Sequence, residues 1–240
     1  MPRFYCPQPL AAGATLALPE MVAHHARVVR LQPGAPLTLF NGDGGEYTAQ
    51  LLTVDKKGAT ANVLAHQPRE CELPYAITLA QALPEAAKMD WIIEKAVELG
   101  ASAIQPLAAQ RSVVKLSAER AEKRSAHWQA VIVAAAEQSG RNRLATLAPL
   151  ASFSNWIAAS ANTRRLLLSP RATESLTTWA KRTTPQAVTI LIGPEGGFSD
   201  IEEDQAITAG ALPLSMGPRI LRCETAGMTA IATLQAIWAE

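Results

Sequence analysis

The feature that most constrains this chain is a pair of glycine-containing turns near its carboxyl end, at residues 193–197 and 217–222. The first turn follows a continuous apolar run at 188–192, which predicts a strand buried on both faces. Ser199 and Glu202 then form a capping-box pattern that predicts the start of a helix. Such an arrangement presents backbone amides to a ligand at the carboxyl end of a parallel sheet. We therefore expect a ligand site at these two turns.

The composition limits the class of protein. The chain has 240 residues and is 48% hydrophobic, which is enough for one large domain or for a small domain joined to a larger one. No apolar run reaches the roughly 18 residues that a membrane span needs, and the amino terminus lacks a signal-peptide pattern. The three cysteines, Cys6, Cys71 and Cys223, show no C-x-x-C spacing, which argues against a disulfide or zinc framework. The sequence thus predicts a cytoplasmic protein.

The net charge is only +1, but one stretch departs from balance. From Arg111 to Arg143 there are seven Lys or Arg residues against three Glu. A local basic patch on a neutral protein suits binding to one particular nucleic-acid site. A solvated helix face is the alternative interpretation.

The turn signals divide the chain into two parts. Turn residues at 33–34, 41–45 and 56–58 separate predicted strands at 36–40, 46–54 and 60–65, so residues 1–70 are predicted to form a small β-rich domain with one short helix around 19–30. A polar, proline-flanked segment at 68–74 is the expected linker.

Residues 74–240 are predicted to form an α/β domain, a mostly parallel sheet with helices on both faces. The predicted strands lie at 76–82, 104–107, 166–168, 188–192 and 212–216, and the predicted helices at 89–99, 117–139 and 226–238.

Several common chemistries are excluded by the motifs. No Lys follows Gly197, so a P-loop lacks its cation, and the turns do not match G-x-G-x-x-G or G-x-S-x-G. His24 and His25 are adjacent and have no evident third ligand, so no metal site is predicted. What remains is a ligand held by backbone and apolar groups. S-adenosylmethionine suits such a site, because its sulfonium is already positive and needs no nearby cation.

Two long motifs carry a family resemblance. They are Leu-Ile-Gly-Pro-Glu-Gly-Gly-Phe-Ser at 191–199 and Met-Gly-Pro-Arg-Ile-Leu-Arg-Cys-Glu-Thr-Ala at 216–226. Segments 24–30, 94–100, 111–113 and 135–141 agree with them. With these motifs the chain resembles, over essentially its whole length, the RsmE family of ribosomal RNA uridine-N3 methyltransferases, in the SPOUT superfamily. Cys223 departs from the pattern, which has Thr at that position.

The resemblance implies a fold and partners that composition does not show. The carboxyl-terminal domain would contain a deep trefoil knot, a rare exception to the rule against threaded chains. Residues 1–70 would be a PUA-like β-barrel that binds RNA. The enzyme would be a homodimer, with the last helix either at the subunit contact or in the core. Its partner would be 16S ribosomal RNA or the small ribosomal subunit.

The resemblance also implies S-adenosylmethionine-dependent methylation of N3 of one uridine in 16S ribosomal RNA. Arg219 and Arg222 would orient the uracil and stabilise its developing charge. Either Glu224 or Glu195 would act as base, and the alternative role for Glu224 is to organise the cofactor loop. The residues assigned to the cofactor are Leu168, Ile192, Gly193, Glu195, Gly196, Met216, Gly217, Ile220, Leu221, Thr225 and Ala226.

RNA contacts are expected from basic and amide side chains, which would position the substrate through its phosphates, bases or sugars. The residues assigned to this role are Arg3, Arg27, Arg30, Arg111, Gln138, Arg141, Asn142 and Arg143. Two alternatives stay open from the sequence, a ribose 2′-O methyltransferase of the same superfamily and a non-catalytic RNA-binding protein. The substrate is either naked RNA or an assembled ribosomal particle.

Overall fold

The computed structural model describes residues 1–85, 88–159 and 163–238. The chain forms two compact units. Unit 1 consists of Met1–Glu72 and Ala136–Leu144, and unit 2 consists of Leu73–Ala135 and Ala145–Glu240.

Unit 1 is built on a five-stranded sheet with the order β1-β3-β4-β5-β2. Strand β1 is parallel to β3, and the other pairs are antiparallel. The strands predicted near 36–40, 46–54 and 60–65 and the predicted short helix are confirmed, whereas β1 and β2 are additions. The elements are β1 (Arg3–Tyr5), β2 (Thr15–Ala17), α1 (Glu20–Val28), β3 (Pro36–Phe40), β4 (Glu46–Asp55) and β5 (Gly58–Gln67).

The core of unit 1 follows from alternation along these strands. Leu37 and Leu39 of β3, Leu51 of β4 and Val63 of β5 are completely buried, and Val22 of α1 packs with them. Side chains two residues apart share one face of a strand, so one face of the sheet is apolar and α1 covers part of it.

Unit 2 contains a parallel sheet with the order β12-β10-β11-β6-β7-β8, and β9 also pairs with β7. All its pairs are parallel, which confirms the predicted α/β class. The elements are β6 (Ile77–Ala82), α2 (Lys88–Glu98), β7 (Ala103–Ala108), α3 (Ala118–Ser139), β8 (Thr146–Leu147), β9 (Ala151–Ser152), α4 (Phe153–Ala158), β10 (Arg164–Leu168), α5 (Leu176–Lys181), β11 (Val188–Ile192), α6 (Asp200–Thr208), β12 (Leu212–Leu214) and α7 (Cys223–Trp238).

The strand order places the two glycine turns next to each other. Strand β10 lies between β11 and β12, so the chain segments that leave the carboxyl ends of these three strands share one edge of the sheet. All five residues of β11 are buried, as its apolar run predicts. Helix α7 lies close to the sheet at Gly227, where an added Cβ would be 3.2 Å from Leu79 Cδ1.

Several predicted boundaries were wrong by two or three residues, and two of them bear on the cleft. Helix α7 begins at Cys223 rather than at 226, because the Arg222 carbonyl already accepts the N–H groups of Thr225 and Ala226. Strand β12 ends at Leu214 rather than at 216, since Ser215 N–H donates to the Glu174 carbonyl instead. The short elements α4, α5, β8 and β9 were not predicted. Among the described residues, no helix is both long and apolar enough to cross a membrane.

Candidate functional site

A cleft of about 330 Å³ opens at the carboxyl ends of β10, β11 and β12. Both glycine turns and the segment after β10 line it. Of the eleven residues that the sequence assigned to a cofactor, Thr225 alone is not in the lining; it is an exposed residue in the first turn of α7. The ten that line the cleft are Leu168, Ile192, Gly193, Glu195, Gly196, Met216, Gly217, Ile220, Leu221 and Ala226.

The first turn is packed against its own backbone. A Cβ at Gly193 would be 2.7 Å from the amide nitrogen of Phe198 and 2.8 Å from the carbonyl carbon of Gly197. Both distances are shorter than real Cβ contacts, so any side chain at 193 would displace the turn. This wall of the cleft is therefore main chain, which a ligand can approach closely.

Two side chains outside the first turn, those of Arg111 and Glu202, bond to the segment at its carboxyl-terminal end. Arg111 Nη1 donates to the carbonyl oxygens of Gly196 and Phe198, each at 3.0 Å. The predicted capping box is confirmed: Ser199 N–H donates to Glu202 Oε2 at 2.9 Å, and Glu202 N–H donates back to Ser199 Oγ at 3.3 Å. Arg111, which the sequence assigned to RNA phosphates, thus lies in the wall of the cleft and braces the turn.

Glu195, within the first turn, bonds to residues at the start of α2. Glu195 Oε1 accepts hydrogen bonds from Lys88 Nζ at 2.6 Å and from the Glu85 N–H at 3.0 Å. Burial raises the pKa of Glu195, but the bonds from Lys88 and from backbone N–H groups outweigh burial and hold that pKa below its usual value. The sequence reasoning missed Lys88, and no local pattern marks it, because its partner lies 107 residues away.

The second turn carries cations without partners. Arg219 and Arg222 line the cleft and are exposed, and neither side chain has a hydrogen bond or an ion pair with the described residues. Ile220 between them is 84% exposed. Two exposed guanidinium groups that have no hydrogen bond or ion pair with the described residues lie beside a backbone-lined cleft, where a polar substrate can reach them.

Glu224 lies in the first turn of α7 and is not part of the cleft lining, whereas Cys223 is. The Cys223 thiol donates to Glu224 Oε2 at 3.2 Å. Burial raises the pKa of Glu224, but its own backbone N–H, the thiol, Lys88 and Arg222 together hold the pKa below its ordinary value. A carboxylate with a lowered pKa is a weak base. Burial, followed by the neighbouring carboxylates, raises the pKa of Cys223 to about 12, so this thiol is protonated at neutral pH.

Three residues assigned to RNA belong to a polar network inside unit 1. Arg141 is 4% exposed and forms a bidentate pair with Glu72, Nε to Oε1 at 2.9 Å and Nη2 to Oε2 at 2.5 Å. Asn142 is fully buried and bonds to the Arg69 carbonyl and to Arg3. These partners argue against RNA contacts by Arg141 and Asn142, since both side chains are used within the unit.

Arg3 takes part in the same network. Its Nη1 pairs with Glu46 at 2.5 Å, and its Nη2 donates to the Arg141 carbonyl at 2.8 Å. With 13% of its side chain exposed, Arg3 serves chiefly to hold the 136–144 segment to the sheet of unit 1.

The other four residues assigned to RNA are accessible. Arg30, Gln138 and Arg143 are exposed, and Arg143 Nε is 3.6 Å from Glu70 Oε1. Arg27 is half-buried and donates to the Asp55 carbonyl at 2.7 Å. Two of them lie at the end of α1 and two on the 136–144 segment, all in unit 1.

The chemistry of the cleft fits S-adenosylmethionine. Its walls are the backbone of the first turn and apolar side chains such as Ile192, Leu214 and Met216, which suit an adenosine group. Across residues 1–85, 88–159 and 163–238, no three His, Cys, Asp or Glu side chains are grouped so that they could hold a metal ion.

Comparison with known proteins identifies two domains in the chain. An RNA methyltransferase domain model matches residues 71–235, and an RNA methyltransferase PUA domain model matches residues 18–64. The first match covers the whole parallel sheet of unit 2 and the cleft; the second covers most of the sheet of unit 1.

Similar proteins match over nearly the full length. Ribosomal RNA small subunit methyltransferase E of Synechocystis is 37% identical over 93% of this chain and 74% of its own length. Its Bacillus subtilis counterpart is 32% identical over 90% of this chain and 87% of its own length. The crystal structure of the Neisseria gonorrhoeae enzyme of the same name, bound to S-adenosylmethionine, superimposes with a TM-score of 0.92 at 37% identity and covers 99% of this chain and 98% of that one. The chain therefore belongs to the ribosomal RNA small subunit methyltransferase E family.

Proposed function

We propose that this protein transfers a methyl group from S-adenosylmethionine to N3 of one uridine in 16S ribosomal RNA. The observation that carries the proposal is the cleft itself, where a backbone-lined turn faces two unpaired arginines, Arg219 and Arg222. The first feature suits the cofactor, and the second suits a uracil that must lose a proton. The family relationship and the cofactor-bound Neisseria gonorrhoeae structure support the same activity.

The first turn and its apolar neighbours would hold the cofactor. Backbone groups of 193–197 would contact it, and Ile192, Met216 and Leu221 would pack against its apolar parts. When bound, S-adenosylmethionine supplies a methyl group activated by its sulfonium. The cleft walls then align the target nitrogen with that group, and proximity of this kind lowers a barrier by several kcal/mol.

Arg219 and Arg222 would act on the uracil. N3 lies on the Watson–Crick edge, so a paired uridine must be exposed before it reaches the cleft. Loss of the N3 proton places negative charge on the carbonyl oxygens, and two guanidinium groups stabilise that charge. Glu224 is a poor candidate for the base, because its pKa is lowered and it lies outside the lining. We assign it instead to holding the start of α7.

The remaining assignments rest on the family resemblance. We propose residues 1–70 as a PUA-like β-barrel that binds RNA, 74–240 as the methyltransferase domain with a deep trefoil knot, and a homodimer acting in the cytoplasm. Ile231, Leu234 and Trp238 of α7 are buried within the chain, so the packing of α7 supports a core helix rather than a helix that supplies the dimer contact.

Transfer of a labelled methyl group tests the proposal directly. Protein and labelled S-adenosylmethionine are incubated with unmethylated 16S RNA and, in parallel, with assembled small subunits, and the RNA is digested to nucleosides. We expect 3-methyluridine, and the better substrate of the two identifies the natural form. A methyl group on the ribose would favour the 2′-O alternative. No transfer and no calorimetric binding of S-adenosylmethionine would favour a non-catalytic RNA-binding protein.

The RNA-binding role of unit 1 is tested by comparing two neighbouring arginines. Arg143→Ala removes an exposed charge, so we expect weaker RNA binding with a salt dependence reduced by about one charge and an unchanged melting temperature. Arg141→Ala leaves Glu72 without its partner and should lower the free energy of unfolding by about 3–5 kcal/mol. An Arg141→Ala protein of normal stability with the lower salt slope would restore a direct RNA contact for Arg141.

A further inference from the structure

Lys88 connects α2 to the first glycine turn. It is the first residue of α2, and its ammonium group lies 2.6 Å from Glu195 Oε1. The Glu85 N–H, just before the helix, donates to the same oxygen at 3.0 Å. A carboxylate is favourable at this end of a helix, where the peptide dipoles point their positive ends. Glu195 thus bonds to the chain at the start of α2 although it belongs to a distant turn.

The two oxygens of Glu195 are in different situations. Oε1 is occupied by the two donors from the start of α2, whereas Oε2 accepts no bond from a side chain or from another residue's backbone in the described part of the chain. Glu195 also lines the cleft. An ionised carboxylate with one fixed oxygen is a preorganised acceptor, which binds a donor without a further cost of ordering.

We propose that Lys88 is a positioning residue for the cofactor: it fixes one oxygen of Glu195 at the start of α2 and so presents the other to a hydroxyl or ammonium group of S-adenosylmethionine. This inference rests on the proposed function. Lys88 itself does not line the cleft and acts through Glu195.

Other charged groups near Glu195 do not replace Lys88. Cys223 faces it from α7, and its thiol is protonated at neutral pH. Glu224, at the same end of α7, interacts electrostatically with Lys88. Arg111 is bonded to carbonyl groups of the same turn, at Gly196 and Phe198. Without the ammonium group the pKa of Glu195 would be higher than in the parent, because Lys88 is the main group that lowers it against the effect of burial. A higher pKa makes the acceptor easier to lose by protonation as the pH falls.

The test compares Lys88→Met, Lys88→Arg, Glu195→Gln and the Lys88→Met/Glu195→Gln double variant. Lys95→Met is the matched control, because Lys95 lies on the same helix, pairs with Glu94 and Glu98 and has a nearly equal exposed fraction, 32% against 31% for Lys88. The dissociation constant for S-adenosylmethionine is measured by calorimetry from pH 5 to pH 8. The carboxyl pKa of Glu195 is measured by carbon-13 NMR in the cofactor-free protein, with Glu195→Gln assigning the signal.

Lys88→Met should weaken S-adenosylmethionine binding about tenfold at neutral pH and more at pH 5, since it removes one charge-assisted bond. The parent, Lys88→Arg and Lys95→Met should show little change with pH. The double variant should bind no more weakly than Glu195→Gln, because Lys88 acts through that carboxylate.

Parent-like binding by Lys88→Met, or effects of the two single changes that multiply in the double variant, would overturn the inference. A folded parent that binds no S-adenosylmethionine would instead reject the proposed function. The NMR titration then still decides the link between the two residues, because an unshifted Glu195 pKa in Lys88→Met would disprove it without any cofactor.

Discussion

The two glycine turns that form the cleft are held in different ways. The first turn, at 193–197, is braced from both ends, by Arg111 on its carbonyl groups and by Lys88 on Glu195. The second turn, at 217–222, is open. Its arginine side chains have no bonds to the described residues, and Ile220 is largely exposed. One side of the cleft is thus already fixed, and the other presents arginines that have no hydrogen bond or ion pair with the described residues.

We propose that this difference assigns the two turns to different tasks, cofactor binding and action on the substrate. A braced turn loses little conformational entropy when a ligand binds, so it suits a cofactor that must be held in one orientation. Arginines that pair with no described residue need not break an existing bond before they contact a substrate. They therefore suit a substrate whose charge develops during the reaction. We therefore expect changes in the first turn to affect cofactor affinity and changes in the second turn to affect the rate of methyl transfer.

The largest effect should come from the arginines of the second turn. Arg219→Ala and Arg222→Ala should each lower kcat by about 10²–10³-fold, the cost of removing one group that stabilises developing charge. S-adenosylmethionine affinity and the melting temperature should change little. Arg182→Ala is the control, because that exposed arginine pairs with Glu174 and does not line the cleft. A loss of cofactor affinity as large as the loss of kcat would contradict the division between the turns.

A smaller effect, confined to binding, should follow from filling the first turn. Gly193→Ala places a Cβ against the Phe198 amide, and overpacking of about 1–3 kcal/mol should weaken S-adenosylmethionine binding by roughly tenfold to a hundredfold. Gly210→Ala provides the comparison: its φ of +86° strains the fold by about 1 kcal/mol, but it has open space and does not line the cleft. Equal affinities of the two variants for the cofactor would show that the first turn is not a rigid cradle.

The smallest effect should come from Cys223, where the second turn joins α7. Cys223→Thr keeps a donor of similar size next to Glu224, so cofactor affinity and kcat should stay within about threefold of the parent. Cys223→Ala removes that donor and should raise the pKa of Glu224, because the thiol helps to lower it. A change in kcat of tenfold or more in Cys223→Thr would mean that this position takes part in substrate handling.

Local signals predicted much of the fold. These signals depend on residues within a few positions of one another, so they were visible in the sequence. They are the apolar run of β11, the Ser199–Glu202 capping box and the ends of α2 and α3. Short elements such as α4 and α5 were missed because six residues carry too little periodicity to distinguish a helix from a loop.

The same limit applies to the site. Ten of the residues that the sequence assigned to a cofactor line the cleft, most of them because the two turns are themselves local motifs. The sequence could not show that Arg141 is paired, because its carboxylate partner, Glu72, lies 69 residues away. A basic residue looks the same in a sequence whether it faces solvent or a buried acid, and only the folded chain shows which of the two applies.

The sequence by itself determined the α/β class of unit 2, the two glycine turns and the family to which the chain is similar, because each depends on neighbouring residues. The tertiary structure decided how charge is used: Lys88 and Arg111 brace one turn, and Arg3 and Arg141 hold unit 1 together. Arg219 and Arg222 have no hydrogen bond or ion pair with the described residues, which is why we propose them for the substrate. The physical reason is that ion pairs form between groups that folding brings within a few ångströms, and their separation along the chain carries no trace of that proximity.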